Sequence, residues 1–263
     1  MIQALNRAWR VVATAISFTS FGIGGLLLRL VYFPLLGLFV RDPAKRRQKA
    51  RAAVQRSFAV FIELMRALGI LTYEIHGLER LNRGGLLILA NHPTLIDVVF
   101  LVSLVKNADC VVKASLGRNP FTRGPVEACG YIQNHTGGQL VDDCIASLRA
   151  GGNLIIFPEG TRTRPGEPLR LQRGAAQIAA RGARDITPVH IRCNPLSLTK
   201  GLPWWQVPKR PMHFDIKIDI DVAIEPFLTR TQGETALAAR QLTDYLHDLF
   251  SENPQGDHAG TRT

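Results

Sequence analysis

The sequence predicts an α/β fold, a mixed sheet flanked by helices, and three observations carry that expectation. Short apolar runs bounded by turn residues, Leu86 to Ala90, Leu154 to Phe157 and Thr187 to Arg192, have the length and content of buried strands. Longer stretches with apolar residues at helical spacing separate them. Near the end, His213-Phe214-Asp215-Ile216-Lys217-Ile218-Asp219-Ile220 alternates strictly, as a strand with one wet face does.

The elements follow in order. Between Val11 and Val40 the only charge is Arg29, and Gly22, Gly24, Gly25 and Pro34 fall within the stretch. One spanning helix needs about 20 apolar residues, so the stretch is long for one span and short for two. Basic residues flank both ends: Arg7 and Arg10 before it, then Arg41, Lys45, Arg46, Arg47, Lys49, Arg51 and Arg56 after it. Both ends therefore favour the cytoplasmic side. The expectation is a membrane-embedded hairpin of two short helices, 8–22 and 25–40, with a single tilted span as the alternative. A signal peptide is not expected, because no small-residue cleavage site precedes the basic run. A helix from Pro43 to Leu68 comes next, with Ala52, Val54, Phe58, Phe61, Ile62 and Met65 on its apolar side. Its basic start suits an anionic leaflet.

Tyr73 to Gly77 reads as a strand, and Leu86 to Ala90 as the next. Pro93 suits a helix start, with the helix continuing through Asp97 to Val105. Cys110 to Lys113 is a strand, Gln139 to Ala150 a helix stopped by Gly151-Gly152, and Leu171 to Ala180 another helix. Gly233 to Phe250 closes the fold. The domains expected are a membrane-anchoring segment at 1–42, a folded domain at 43–250 and a disordered tail at 251–263.

Composition narrows the function. Hydrophobic residues make up 46%, enough for a core, and 32 Lys and Arg against 21 Asp and Glu leave a net +11. Such a surplus suits lipid headgroups or nucleic acid, and the apolar amino-terminal stretch favours lipid. Trp204-Trp205, set between Lys200 and Lys209-Arg210, fits either a membrane interface or a return onto the core. The four cysteines show no metal-ligand spacing, and neither a phosphate loop nor an H-E-x-x-H motif occurs.

The chemistry concentrates in two blocks, Asn91-His92-Pro93-Thr94-Leu95-Ile96-Asp97 and Phe157-Pro158-Glu159-Gly160-Thr161-Arg162. Each follows a buried-strand signal, so both lie at strand carboxyl ends, where open α/β sheets bind ligands. On one continuous helix, residues five apart point about 140° away from each other. The turn at Pro93 removes that obstacle, so Asp97 can hold one imidazole nitrogen of His92 and leave the other as a base. Arg162 suits a phosphate, and Gly160 permits close backbone approach. No G-x-S-x-G elbow is present, so no covalent intermediate on such a serine is indicated.

These blocks resemble those of the glycerophospholipid acyltransferase family. Lys113-Ala114-Ser115-Leu116, Pro120, Gly124 and Gly130-Tyr131-Ile132 are similar to its acceptor-binding block, and Ile186-Thr187-Pro188-Val189-His190-Ile191 to its closing strand. The resemblance covers residues 86 to 192 and implies a glycerol-phosphate-acyltransferase-like fold. It also implies a membrane-bound O-acyltransferase that needs no cofactor. The acyl group would pass from an acyl thioester, carried by coenzyme A or acyl carrier protein, to a hydroxyl of a lysophospholipid such as 1-acyl-glycerol-3-phosphate. His92 and Asp97 are then the expected catalytic pair. Asn91, Lys113, Arg118, Glu159, Gly160, Thr161, Arg162 and Pro188 are the expected substrate contacts. The setting expected is the cytoplasmic face of the cell inner membrane, with membrane lipids and the thioester donor as partners.

One departure stands out. Where the family commonly places an Arg after the second block, this chain has Gln133-Asn134-His135. Lys113, Arg118, Arg123 and Arg162 could compensate, or the acceptor carries less charge. The other functional class is a catalytically silent basic protein that binds membrane or nucleic acid. Intact His92, Asp97 and Glu159 speak against silence, and the continuous apolar amino terminus speaks against nucleic acid as a partner.

Overall fold

Leu87, Ile88, Leu89 and Ala90 form β2 (Leu87–Ala90), all four fully buried. A strand alternates its side chains between two faces, so full burial requires packed layers on both sides of the sheet. The computed structural model, which describes residues 2–118, 122–134, 139–164 and 166–251, has that construction. Ile88 and Ala90 enter one core layer, and Leu87 and Leu89 enter the other.

The seven strands are β1 (Leu71–His76), β2, β3 (Ala108–Lys113), β4 (Ile132–Asn134), β5 (Asn153–Ile156), β6 (Ile186–Asn194) and β7 (Met212–Ile218), in spatial order β1-β7-β6-β2-β5-β3-β4. The pairs from β6 to β4 are all parallel, with Leu87 opposite Leu154 on one side and Ile186 on the other. Only β6 and β7 pair antiparallel, and β1 runs parallel to β7. The sheet is therefore mixed, as the sequence predicts. In β7, Met212, Phe214, Ile216 and Ile218 are buried while Lys217 is exposed and His213 and Asp215 are half-buried, so the expected wet face is present.

One layer is covered by α3 (Pro43–Ala67) and α4 (Asp97–Leu104). The other is covered by α7 (Gln139–Arg149), α8 (Gly174–Gly182), α9 (Glu225–Arg230) and α10 (Thr235–Ser251). Two short helices, α5 (Ala114–Arg118) and α6 (Arg123–Cys129), follow β3. Neither they nor β4 nor α9 was legible in the sequence, because elements this short hold too little periodicity. The tail from residue 252 onward, and with it most of the expected disordered segment, lies outside the described residues, as do Pro120 and His135.

The amino-terminal hairpin expected from the glycines is not what forms. α1 (Ile2–Leu27) passes through a π-helical turn, Leu28–Tyr32, into α2 (Phe33–Phe39) without reversing direction. Gly22 and Gly24 lie inside α1 with open space where a Cβ would be, so helix continuity outweighs their weak propensity. Pro34 lacks an N–H, and the π turn accommodates it: the Phe33 N–H donates to the Leu28 carbonyl, five residues back. The reversal comes later, at 40–42. Asp42 caps α3 by accepting from the Ala44 and Lys45 N–H groups at 2.8 and 3.3 Å, with Pro43 in the first turn. The true helical pair is thus the whole helix 2–39 against α3. Phe21 packs on Phe58 and Phe61, Tyr32 donates to the Lys49 carbonyl, and the Trp9 indole donates to the Leu68 carbonyl. These contacts run in opposite directions along the two helices, so the pair is antiparallel.

α3 also corrects the reading of its charges. Arg51, counted in the sequence among residues facing lipid headgroups, is only 5% exposed and meets Asp109 of β3 at 2.6 Å. Its Nε donates to the Cys129 carbonyl and its Nη1 to Asn107 Oδ1, while Ser147 Oγ donates to Asp109. The ion pair is satisfied on every side, which is the condition for tolerating buried charge. Arg51→Ala would strand the Asp109 carboxylate, and chemical denaturation in detergent should show a loss of about 3–5 kcal/mol. Replacing the exposed Arg56 in the same way should change stability by no more than about 0.5 kcal/mol.

Candidate functional site

β2 ends at Ala90, and the chain then turns through Asn91–Ile96 before α4 begins at Asp97. Pro93 does not start the helix, contrary to the sequence expectation. The turn continues beyond it because the Leu95 N–H is taken by the Leu198 carbonyl at 3.0 Å. The longer turn places Asp97 in the first turn of α4, where a carboxylate is favoured by the helix dipole.

His92 and Asp97 meet as expected: Nδ1 lies 2.9 Å from Asp97 Oδ2. Asp97 is completely buried, while the His92 side chain keeps 17% of its surface. Asp97 also accepts the Thr94 N–H at 2.6 Å on Oδ2 and the Thr94 hydroxyl at 2.5 Å on Oδ1. A carboxylate at Nδ1 selects the tautomer with its proton there, leaving Nε2 as the basic nitrogen. The imidazole stacks on Phe157 with centroids 4.1 Å apart, which fixes the ring plane.

The second block is tied to the first by Glu159, 5% exposed. Its Oε1 accepts the His92 N–H at 2.7 Å and its Oε2 accepts the Thr163 hydroxyl. Gly160 closes a turn, donating to the Phe157 carbonyl, and has φ +69°, so glycine is needed there for conformation. Arg162 Nη1 donates to the Leu198 carbonyl at 3.0 Å, the same oxygen that holds Leu95. One carbonyl thus connects both blocks, and the remaining guanidinium donors of Arg162 are available for an anion. Thr161 is half-buried beside it.

The other expected contacts divide. Asn91 is 6% exposed and uses its amide to exchange two hydrogen bonds with the Ile191 backbone, at 2.8 and 2.7 Å. It extends the β2–β6 pairing past the end of the strand, so its work is bracing the His92 turn. Lys113 stands exposed at the end of β3, two strands from β2, and Arg118 is exposed at the end of α5. Pro188 lines a separate groove of about 960 Å³ with Asp219, Ile220, Asp221, Phe227 and Tyr245, and neither block contributes to its walls. Gln133, which stands where the family has Arg, packs its amide against Gly117.

Thr94 and Phe157 stood within the two blocks without a role, and Thr163 and Leu198 were not singled out in the sequence. Thr94-x-x-Asp97 before an apolar run is a capping-box pattern and could have been found. Leu198 acts through its carbonyl, for which its side chain gives no signal.

Burial pushes the Asp97 carboxyl above its ordinary range, against the pull of His92 and the two Thr94 donors. Glu159 is likewise raised by burial, opposed by Thr163 and the His92 N–H. A carboxyl raised in the fold contributes stability below its unfolded pKa and loses that contribution as pH rises through the folded value. The stability difference between Asp97→Asn and the parent should therefore move in the variant's favour as pH climbs from about 4, the unfolded carboxylate value, and thermal melts across pH should show it. Glu159→Gln can still accept from His92 and reach Thr163, and should melt near the parent. Glu159→Ala strands the His92 N–H and should lose about 1–3 kcal/mol.

Comparison with known proteins finds matches over the region that holds the site. Residues 72–192, which contain both blocks, match the family model described as Acyltransferase. The 1-acyl-sn-glycerol-3-phosphate acyltransferase of Pseudomonas aeruginosa is 26% identical over 160 residues, covering 59% of this chain and 62% of that protein. The enzyme of the same description from Helicobacter pylori is 33% identical over 115 residues, covering 41% and 48%. A chloroplastic one from Arabidopsis thaliana is 24% identical over 175 residues, covering 62% and 46%. The chain thus spans about half to three-fifths of the length of these relatives. The crystal structure of the 1-acyl-sn-glycerophosphate acyltransferase PlsC from Thermotoga maritima superposes with a TM-score of 0.65 at 19% identity, covering 94% of this chain and all of that one, and so shares the fold. On the two blocks, their order and these matches, the chain is similar to the glycerophospholipid acyltransferase family over residues 72–192.

Proposed function

We propose that this chain is an O-acyltransferase that moves a fatty acyl group from a thioester to the hydroxyl of a lysophospholipid, 1-acyl-glycerol-3-phosphate or a close relative. The observation that carries the reading is the buried Asp97 holding Nδ1 of His92 beside an accessible imidazole edge. In the reaction, Nε2 of His92 takes the proton of the acceptor hydroxyl as its oxygen attacks the thioester carbonyl. Asp97 stabilises the resulting imidazolium, the C–S bond breaks, and the thiolate leaves with the proton returned from His92. Arg162, fixed by Leu198, faces the acceptor's phosphate, and Lys113 and Arg118 add positive charge at the same end of the sheet. The thioester is carried by coenzyme A or acyl carrier protein, and no cofactor enters the chemistry.

A membrane setting is supported by α1 and α2. Leu5, Val12, Ile16, Ile23, Leu27 and Leu30 are exposed along one side of the helix, and Leu38 and Phe39 are more than 70% exposed. A row this long exceeds what a monomeric soluble surface carries. The opposite side packs on α3, which supports a helix lying in one leaflet, and the basic residues flanking the stretch support a domain on the cytoplasmic side of the inner membrane. Arg29, the one charge of the stretch, folds toward α6, where its side chain covers Gly124.

Purified protein in lipid, offered labelled acyl thioesters and a panel of lysophospholipids, should form a new ester identifiable by mass spectrometry. His92→Ala should lower that rate by about 10² to 10⁴ in a variant that still folds, shown by a cooperative melt. A folded variant with parental turnover would remove His92 from the reaction.

A further inference from the structure

The segment 195–211, between β6 and β7, forms a strap that touches the amino-terminal helix and the site in turn. Arg10 of α1, 8% exposed, donates from Nε to the Pro208 carbonyl at 3.2 Å and from Nη2 to the Lys209 carbonyl at 2.5 Å. Trp204 leans edge-on against Phe18 of α1, with centroids 6.4 Å apart, and Trp205 stands at right angles to Trp204. At its other end the strap supplies the Leu198 carbonyl, which receives both Leu95 and Arg162. Ser197, Leu198, Thr199 and Val207 are buried and secure the strap to the domain.

Its outer surface has a different character. Trp205 is 57% exposed and Leu202 43%, on a stretch that begins with Lys200 and ends with Lys209 and Arg210. An exposed indole with a leucine, bordered by cations, is the composition of a surface that meets a lipid headgroup layer. Of the two strap tryptophans, Trp204 is the one that leans against α1, and Trp205 projects outward. Through Arg10 and Phe18 the strap adjoins the helix whose outer side carries the long apolar row.

We propose that the strap 195–211 is a second membrane-docking surface, selective for anionic lipid, in which Leu202 and Trp205 enter the headgroup layer while Lys200, Lys209 and Arg210 meet phosphates. The inference extends the membrane reading of α1 and α2 and is separable from it. It places the lipid surface, from which an acceptor must come, one segment away from the carbonyl that orients Arg162.

The three tryptophans, Trp9, Trp204 and Trp205, provide the test. In Trp9→Phe with Trp204→Phe, emission reports Trp205 alone; in Trp204→Phe with Trp205→Phe, it reports Trp9 on the exposed side of α1. With vesicles containing phosphatidylglycerol and brominated lipid, Trp205 emission should shift to the blue and be quenched. Lys200→Gln and Lys209→Gln should each weaken binding to these vesicles by about fivefold, with little change on uncharged phosphatidylcholine. Quenching of Trp9 without quenching of Trp205 would overturn the strap proposal and leave the helix as the sole docking element. Quenching of neither would overturn both readings. Equal loss on charged and uncharged vesicles would overturn the selectivity for anionic lipid.

Discussion

A single carboxylate organises the site. Asp97 has no exposed surface, and its two oxygens accept a hydroxyl, a peptide N–H and an imidazole nitrogen. Burying a charge is tolerated only when donors replace water, and all three donors lie within five residues upstream. The turn after β2 is therefore shaped by the needs of one side chain. That turn in turn presents the His92 N–H to Glu159, so the second block is positioned by the first. Arg162 follows, because its anchor, the Leu198 carbonyl, is also the anchor of the turn.

The parts of this arrangement visible in the sequence were those whose cause is local. β2, β5 and β6 are apolar because both their faces are covered, and that leaves a pattern in any single stretch of chain. The meeting of His92 with Asp97 was legible because a proline between them breaks the helical geometry that would part them. What escaped notice was non-local. Arg51 looks like its basic neighbours, and only the arrival of Asp109 from β3 turns it into a core residue. Asn91 reads as a ligand-facing amide until β6 supplies the backbone it pairs with. The amino-terminal glycines suggested a bend, yet the helix runs on and meets α3 at Trp9, Phe21 and Tyr32.

The same non-local principle explains the weight carried by Glu159. As a residue in a turn it could be a solvated surface group, and its burial becomes intelligible only with a backbone donor from another strand end. Two short loops, each flexible if isolated, become one framework when a carboxylate crosses between them. The stacked Phe157 ring adds an orienting wall to the imidazole. Positioning by neighbours of this kind lets a site stay open to a lipid while its reacting atoms keep fixed places.

The clasp between Arg10 and the carbonyls of Pro208 and Lys209 joins groups about 200 positions apart in the chain. At synthesis rates of roughly 5–20 residues per second, the ribosome needs on the order of 10 to 40 seconds to make the second half of that clasp. Through that interval the helix 2–39 can lean on α3 and, through Arg29, on α6, with its outer apolar side uncovered. If the outer row meets lipid, as proposed, a nascent chain in that condition gains by settling onto a bilayer early. Under the proposed membrane setting the fold thus implies an order of events at birth, in which lodging in lipid comes first and closure of the strap onto the amino-terminal helix comes after.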